Sequence, residues 1–384
     1  MSSWKECTLA EITSILGDGL HGTPNYDKNG EYFFINGNNL SKGKIIIKSD
    51  TKRADLSEYE KYKKNLNDRT ILVSINGTLG NIALYNNEKC ILGKSACYFN
   101  VNDNVDKYFI KYVVTNKDFQ EYIRNFATGT TIPNVSLKTM REYSFSLPPL
   151  EEQKAIAEVL SSLDDKIDLL HRQNQTLESL AQTLFRQWFI EEAKEEWEEK
   201  PLSKIADFLN GLACQKFPPK NDIDKLPVLK IKDLKDGVSE NSDYATSDVK
   251  PEYIVNNGDV IFAWSASLMV KIWNGDKCVL NQHLFKVISK DYPKWFYYQW
   301  CKYHLDNFID IASEHATTMG HIKRSDLDEA ICLVPNIDEL DKMTEQFNPI
   351  MEKLEINSRQ IQTLENLRDT LLPKLLSGEV RVEL

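Results

Sequence analysis

What most constrains this chain is that it contains a long helical segment twice. Residues 148–190 read PPLEEQKAIAEVLSSLDDKIDLLHRQNQTLESLAQTLFRQWFI. A seam that is apolar except at Asn174 recurs there at alternating steps of four and three, through Ile156, Leu160, Leu163, Ile167, Leu170, Asn174, Leu177, Ala181, Leu184 and Trp188. Only an α-helix with a continuous packing seam uses that spacing, and it wants a partner helix. At about 1.5 Å per residue, roughly 40 residues make a rod some 60 Å long, too long for a core helix of one small domain. The partner comes later. Met343, Phe347, Ile350, Leu354, Asn357, Ile361, Leu364, Arg368, Leu371 and Leu375 repeat the steps at an offset of 187, which also carries Pro148 onto Pro335 and Thr176-Leu177-Glu178 onto Thr363-Leu364-Glu365.

The segments between the helices repeat as well. Residues 1–147 read as a mixed α+β block. CTLAEITSILGDG is a short amphipathic segment closed by glycines, and YFFIN, KIIIK, TILVSI and NIALY are strands bounded by Asn-Gly and Gly signals. YFIKYVVTNKDFQEYIRNFA has helical spacing, and TGTTIPNVS is a polar loop before the central helix. Residues 197–334 follow the same plan: DVIFAWSASLMVKIW mirrors TILVSINGTLGNIAL, KCVLN mirrors KCILG, and ATTMGHIKRSDL stands where TTIPNVSLKTM stood. The scaffold is shared and the loops are not, as two modules reading different targets would need. The expected division is block 1–147, central helix 148–196, block 197–334, distal helix 335–376 and tail 377–384.

The offset places Leu384 where Trp197 stands, and Trp197 in turn matches Trp4, so the order block, helix, block, helix closes on itself. This predicts a circular, pseudo-two-fold α+β arrangement with the two long helices antiparallel, Pro373 and Gly378 ending the second. In that register Asn174 and Asn357 face each other and fix the alignment of the helices.

A net charge of −10 argues against nucleic acid until it is divided by segment. Residues 1–149 carry +3, 150–200 carry −7, 201–336 carry −2 and 337–384 carry −4. The acidity sits in the helices, leaving both blocks free to meet DNA. There is no eighteen-residue apolar run and no leader pattern, so a cytoplasmic chain is expected, and the seven scattered cysteines fit reduced thiols.

No catalytic constellation is visible. Asp/Asn-Pro-Pro-Tyr/Phe, phosphate-loop, G-x-S-x-G and HExxH patterns are all missing, and His315 and His321 lack acidic companions for a metal. What remains is polar loop chemistry suited to phosphates and base edges. The first block offers Thr23, Asn25, Asn76, Thr78, Thr130, Thr131, Asn134 and Lys138. The second offers Ser265, Ser267, Lys271, Thr317, Thr318, His321, Lys323 and Arg324.

LPPLEEQKAIAEVLSSLDDKID, LVPNIDELDKM, TGTTIPNVS and the final LRDTLLPKLLSGEVRV together resemble the specificity (S) subunit of type I restriction–modification enzymes, over the whole chain. The second helix start, VPNIDELDK, departs from the family's Pro-Pro-x-x-Glu-Gln. The resemblance implies a non-catalytic DNA-recognition subunit in which each block is a target recognition domain for one half of an asymmetric bipartite site. The helices would set the unread spacer, with half-sites about 10 bp apart. They would also dock two methyltransferase subunits that bring S-adenosylmethionine; a restriction subunit would add ATP-driven translocation and cleavage. No cofactor is expected on this chain itself. A coiled-coil scaffold without DNA function is the rival reading; it explains the helices but not two differing β-rich blocks.

Overall fold

The computed structural model describes residues 4–239, 241–314 and 320–383. The chain divides into two compact units, Met1–Lys166 with Leu364–Leu384, and Ile167–Thr363. Each unit therefore takes one block together with a segment of both long helices, where the sequence drew the helices as separate domains.

In chain order the first block holds β1 (Lys5–Thr8), β2 (Thr13–Asp18), β3 (Tyr32–Ile35), β4 (Leu40–Ser41), β5 (Lys44–Ile45), β6 (Arg53–Ala54) and α1 (Leu56–Tyr62). β7 (Thr70–Asn76), β8 (Thr78–Leu84), β9 (Cys90–Leu92) and β10 (Ala96–Val101) follow. Then come α2 (Lys107–Thr115), α3 (Lys117–Asn125), α4 (Leu137–Glu142), β11 (Ser144–Leu147) and the long α5 (Leu150–Arg186). The second block has β12 (Glu198–Pro201), α6 (Leu202–Ile205), β13 (Asp207–Asn210), β14 (Lys225–Leu229), α7 (Ile231–Asp236), β15 (Tyr244–Thr246) and β16 (Ile254–Val255). It continues with β17 (Val260–Ala263), β18 (Met269–Ile272), β19 (Cys278–Leu280), β20 (Leu284–Ile288), α8 (Lys294–Tyr303), α9 (Leu305–Glu314), α10 (Arg324–Glu329) and β21 (Ile331–Val334), before α11 (Ile337–Ser377).

The duplication read from the sequence holds at the level of sheet order. β2-β10-β7-β8 matches β13-β20-β17-β18, and the pair β1-β11 matches β12-β21. β3 runs parallel to β9 as β14 does to β19. Both copies need a glycine at the same crossing: a Cβ on Gly19 would lie 2.2 Å from the Leu92 carbonyl oxygen, and one on Gly211 2.2 Å from that of Asn281.

Three local expectations are corrected. CTLAEITSILGDG is not one amphipathic segment but the strands β1 and β2, because each finds a distant partner, β11 and β10. In KIIIK only Lys44–Ile45 is strand, paired with the two residues of β4, and Ile46 and Ile47 are exposed. Pro373 does not end the second helix. α11 runs through it to Ser377, where Gly378 takes φ +74°. Leu372 and Leu375 on either side are buried in the first unit's core, which offsets the roughly 3 kcal/mol that an interior proline costs.

Within each unit the two helix segments run antiparallel. In the first, Trp4 donates its indole N–H to Glu152 Oε2 at 3.0 Å while Arg381 pairs with the other oxygen. In the second, Trp197 donates to Glu339 Oε2 at 2.8 Å while Lys194 pairs with that carboxylate. Glu339 and Lys194 are the 187-offset equivalents of Glu152 and Arg381, so the same clasp forms twice, once from neighbouring residues and once from opposite ends of the chain. The helix starts differ one residue further on. Gln153 donates to Pro148 O and accepts from Asp106 N–H, both at 2.8 Å, whereas Leu340 is simply buried.

In the second unit the structure brings the two seam asparagines together. Asn357, fully buried, donates to Asn174 Oδ1 at 3.0 Å and to Gln173 Oε1 at 3.3 Å, and Asn174 donates to Ser358 Oγ at 3.3 Å.

Candidate nucleic-acid interface

One device recurs in both units. β7 and β8 are joined by the tight tip Asn76-Gly77-Thr78, with Asn76 and Thr78 paired across it and Gly77 at φ +75°. The loop before α4 is strapped onto this tip: Gly77 N–H donates to Pro133 O at 2.9 Å, and Val135 N–H donates to Ile75 O at 2.8 Å. Asn76 Nδ2 also donates to Asn134 Oδ1 at 3.0 Å. The loop closes on itself through reciprocal 2.8 Å bonds between Thr128 and Asn134, so Thr130 and Thr131 stand exposed at its end beside Ile132.

In the second unit, Ser265-Ala266-Ser267 forms the equivalent tip. Ala266 N–H donates to Gly320 O at 2.8 Å and Ile322 N–H donates to Trp264 O at 3.1 Å, with Ser265 bridged to His321. Ala266 sits at φ +58°, the left-handed conformation that glycine supplies at the first tip. That conformation costs an alanine about 1–2 kcal/mol, more than the roughly 0.4–1 kcal/mol of unfolded-chain freedom that a glycine adds. Ala266→Gly is therefore expected to raise stability by about 0.5–1 kcal/mol. A urea midpoint below that of the parent chain would contradict the left-handed turn.

The structure gathers Asn76, Thr78, Thr130, Thr131 and Asn134 at the first tip and Ser265, Ser267 and His321 at the second. Other candidates have different work. Asn25 bonds Glu58 through its backbone N–H at 2.9 Å and its side-chain amide at 3.2 Å, which anchors a loop to α1; Thr23 lies exposed in that loop. Lys271 Nζ donates to the Leu234 and Lys235 carbonyls at 3.2 and 3.1 Å, a cation at the carboxyl end of α7. Lys323 caps α10 through its backbone, donating to Asp326 Oδ2 at 2.7 Å. Lys138 is exposed on α4 and lies 3.7 Å from Glu142. Thr317 and Thr318, with His315, fall outside the described residues.

Of the groups that flank the tips, the sequence named Arg324 and missed Arg141, Trp264 and His283. Arg141 donates to Leu16 O at 2.7 Å and Arg324 to Phe208 O at 3.1 Å. These are the same carbonyl position on β2 and β13, reached from different positions of α4 and α10. Burial pushes the neighbouring Cys97 thiol up; Asp18 adds to the shift and Arg141 opposes it. Trp264 and His283 border the second tip, His283 Nδ1 lying 3.2 Å from Ser265 Oγ. An arginine in each segment that follows the tip-strapping loop was the available signal. Among the described residues no group of three or more His, Cys, Asp or Glu could hold a metal ion, and no helix is long and apolar enough to cross a membrane.

Comparisons with known proteins agree with this duplicated layout. The family model described as "Type I restriction modification DNA specificity domain" matches residues 1–179 and 194–366. The MjaIX type I restriction enzyme specificity subunit of Methanocaldococcus jannaschii is 29% identical over 341 residues, covering 82% of this chain and 78% of that one. The HindI type I restriction enzyme specificity subunit of Haemophilus influenzae is 21% identical over 472 residues, covering 99% and 100%. Among solved structures, the type I restriction–modification system S subunit from M. genitalium aligns with a TM-score of 0.57 at 18% identity over 97% of this chain and 96% of that one, a likeness of fold.

Proposed function

Because the chain belongs to the type I restriction modification DNA specificity family, we propose that it is the subunit that reads double-stranded DNA for a methyltransferase complex and does no chemistry itself. One observation carries the reading furthest: the same strapped hairpin tip is built twice on different side chains. Asn76, Thr78 and Asn134 stand where Ser265, Ser267 and His321 stand in the other copy. A shared scaffold with unlike donors and acceptors suits two modules that read two different half-sites. The scaffold reading accounts for the helices and leaves these tips without a role.

On this proposal the long helices set the unread spacer, the Asn174–Asn357 pair holds their register, and their acidic exposed faces receive two methyltransferase subunits. S-adenosylmethionine, and ATP where a restriction subunit joins, belong to those partners. The complex works in the cytoplasm, beside the chromosome.

The test is adenine-methylation mapping in a genome expressing a cognate methyltransferase subunit with and without this chain. A single bipartite motif appearing only with the chain is expected, and exchanging residues 1–147 for another such block should change one half of it alone. An unchanged methylome with the complex intact would sink the proposal, and a change in both halves would sink the independence of the two blocks.

A further inference from the structure

In the second unit a cleft of about 190 Å³ opens beside the Ser265–Ser267 tip, lined by Asn210, Trp264, Phe285, Ile322 and Arg324. Trp264 lies against Phe285 with ring centroids 5.6 Å apart and planes 26° from parallel. Its indole N–H donates to Asn210 Oδ1 at 3.2 Å. Since an indole N–H can only donate, the Asn210 oxygen must face Trp264, and its NH2 is left as the outward group. Arg324 is held from two sides. One Nη donates to Phe208 O at 3.1 Å, and the guanidinium rests over Phe285, 5.6 Å from the ring centroid. It forms no ion pair among the described residues, and arginine carries no acceptor. The cleft therefore presents donors against an apolar wall.

Such a cleft matches a base edge made of acceptors. In the major groove guanine offers O6 and N7 side by side, whereas adenine pairs an acceptor with a donor, cytosine shows a donor, and thymine a single acceptor beside a methyl group. A phosphate also accepts, but Trp264, Phe285 and Ile322 would strip its water without replacing it. We propose that Arg324, with Asn210 beside it, reads a guanine in the half-site recognised by the second unit. The assignment rests on the DNA-reading function proposed above. An arginine already fixed at one nitrogen loses little freedom on presenting the rest of its fork, and lysine cannot supply that fork.

The first unit lacks the walls. Asp18 and Cys97 pair across β2 and β10 as Asn210 and Phe285 pair across β13 and β20, and Ile75 follows β7's Ser74 as Trp264 follows Ala263. Asp18 is an acceptor, so this donor-lined cleft belongs to the second unit.

The experiment is adenine-methylation mapping with the complete methyltransferase complex, using the parent chain, Arg324→Lys and Asn210→Asp. The parent motif should contain a guanine in the half that survives exchange of residues 1–147. Arg324→Lys keeps the charge and should lose on the order of 10-fold discrimination at that one position. Asn210→Asp replaces the outward donor with an acceptor and should weaken guanine preference in the same half, with the other half unchanged in both variants. A second-unit half without guanine, unchanged discrimination, or uniformly weaker methylation at an unaltered motif would each overturn the assignment, the last by making Arg324 a phosphate contact. A parent complex that methylates no bipartite motif would overturn the DNA-reading function itself, and is distinguishable from a motif that ignores Arg324.

Discussion

Trp295→Ala is expected to destabilise the second unit by about 4 kcal/mol, within the range for truncating a fully buried tryptophan. Trp295 is 1% exposed and stacks on Phe347 of α11 with centroids 4.3 Å apart and planes 14° from parallel. It also approaches Phe189 and donates its indole N–H to Thr344 Oγ1 at 2.9 Å. Its removal opens a cavity between α8 and the helix pair and leaves the threonine without that donor. The 187-offset equivalent in the first unit is Tyr108, which is 43% exposed, so Tyr108→Ala should cost no more than about 0.5 kcal/mol. Urea unfolding of the two variants decides the matter. Equal midpoints would show that Trp295 does not join the second block to its helices.

Asp164→Ala is the corresponding change in the first unit, where the junction is ionic. Asp164 accepts from Lys111 Nζ and Tyr112 OH, both at 2.7 Å, and from Arg368 Nη1 at 3.1 Å. All three charged side chains are less than a third exposed. Removing the carboxylate leaves two cations half-buried side by side, a loss of about 2 kcal/mol when the 3–5 kcal/mol typical of a fully buried pair is discounted for solvent.

Burial raises the Asp164 pKa, but the Lys111 ammonium, the Tyr112 hydroxyl and the Arg368 guanidinium outweigh it and hold the carboxyl below its ordinary value. A depressed carboxylate contributes in full above its unfolded pKa of about 4, and the contribution is lost as pH falls through the lower folded value. The gap between parent and variant should thus be constant from about pH 5 to pH 8 and shrink below pH 4. A gap that widened on acidification would contradict the hub.

The two junctions illustrate what could be read in advance. Lys111 and Tyr112 correspond to Tyr298 and Gln299, Asp164 to Met351 and Arg368 to Ala181. The offset therefore found the paired positions, yet nothing local says that one set forms an ionic hub while the other packs among aromatics. The hub needs α2, α5 and α11 to converge at one point. The candidate site divides in the same way. The Asn-Gly-Thr tip and the loop with Pro133 and Asn134 were legible because turns announce themselves in short sequence. Asn25, Lys271 and Lys323 proved to be loop-anchor, helix-end and cap residues, since a polar residue reads alike whether it faces solvent or other groups of the protein. Ala266 hides its turn altogether, because a left-handed alanine leaves no compositional mark.

Repeat, seam and the absence of catalytic motifs follow from the sequence alone, because periodicity and duplication are properties of order along the chain. Only the tertiary structure decided that Arg141 and Arg324 reach the same strand carbonyl, that Trp4 and Arg381 clasp Glu152, and that Trp264 turns Asn210 into a donor. Each of these joins residues more than 50 positions apart, and which side chain meets which is set by sheet register and helix packing that local sequence does not encode.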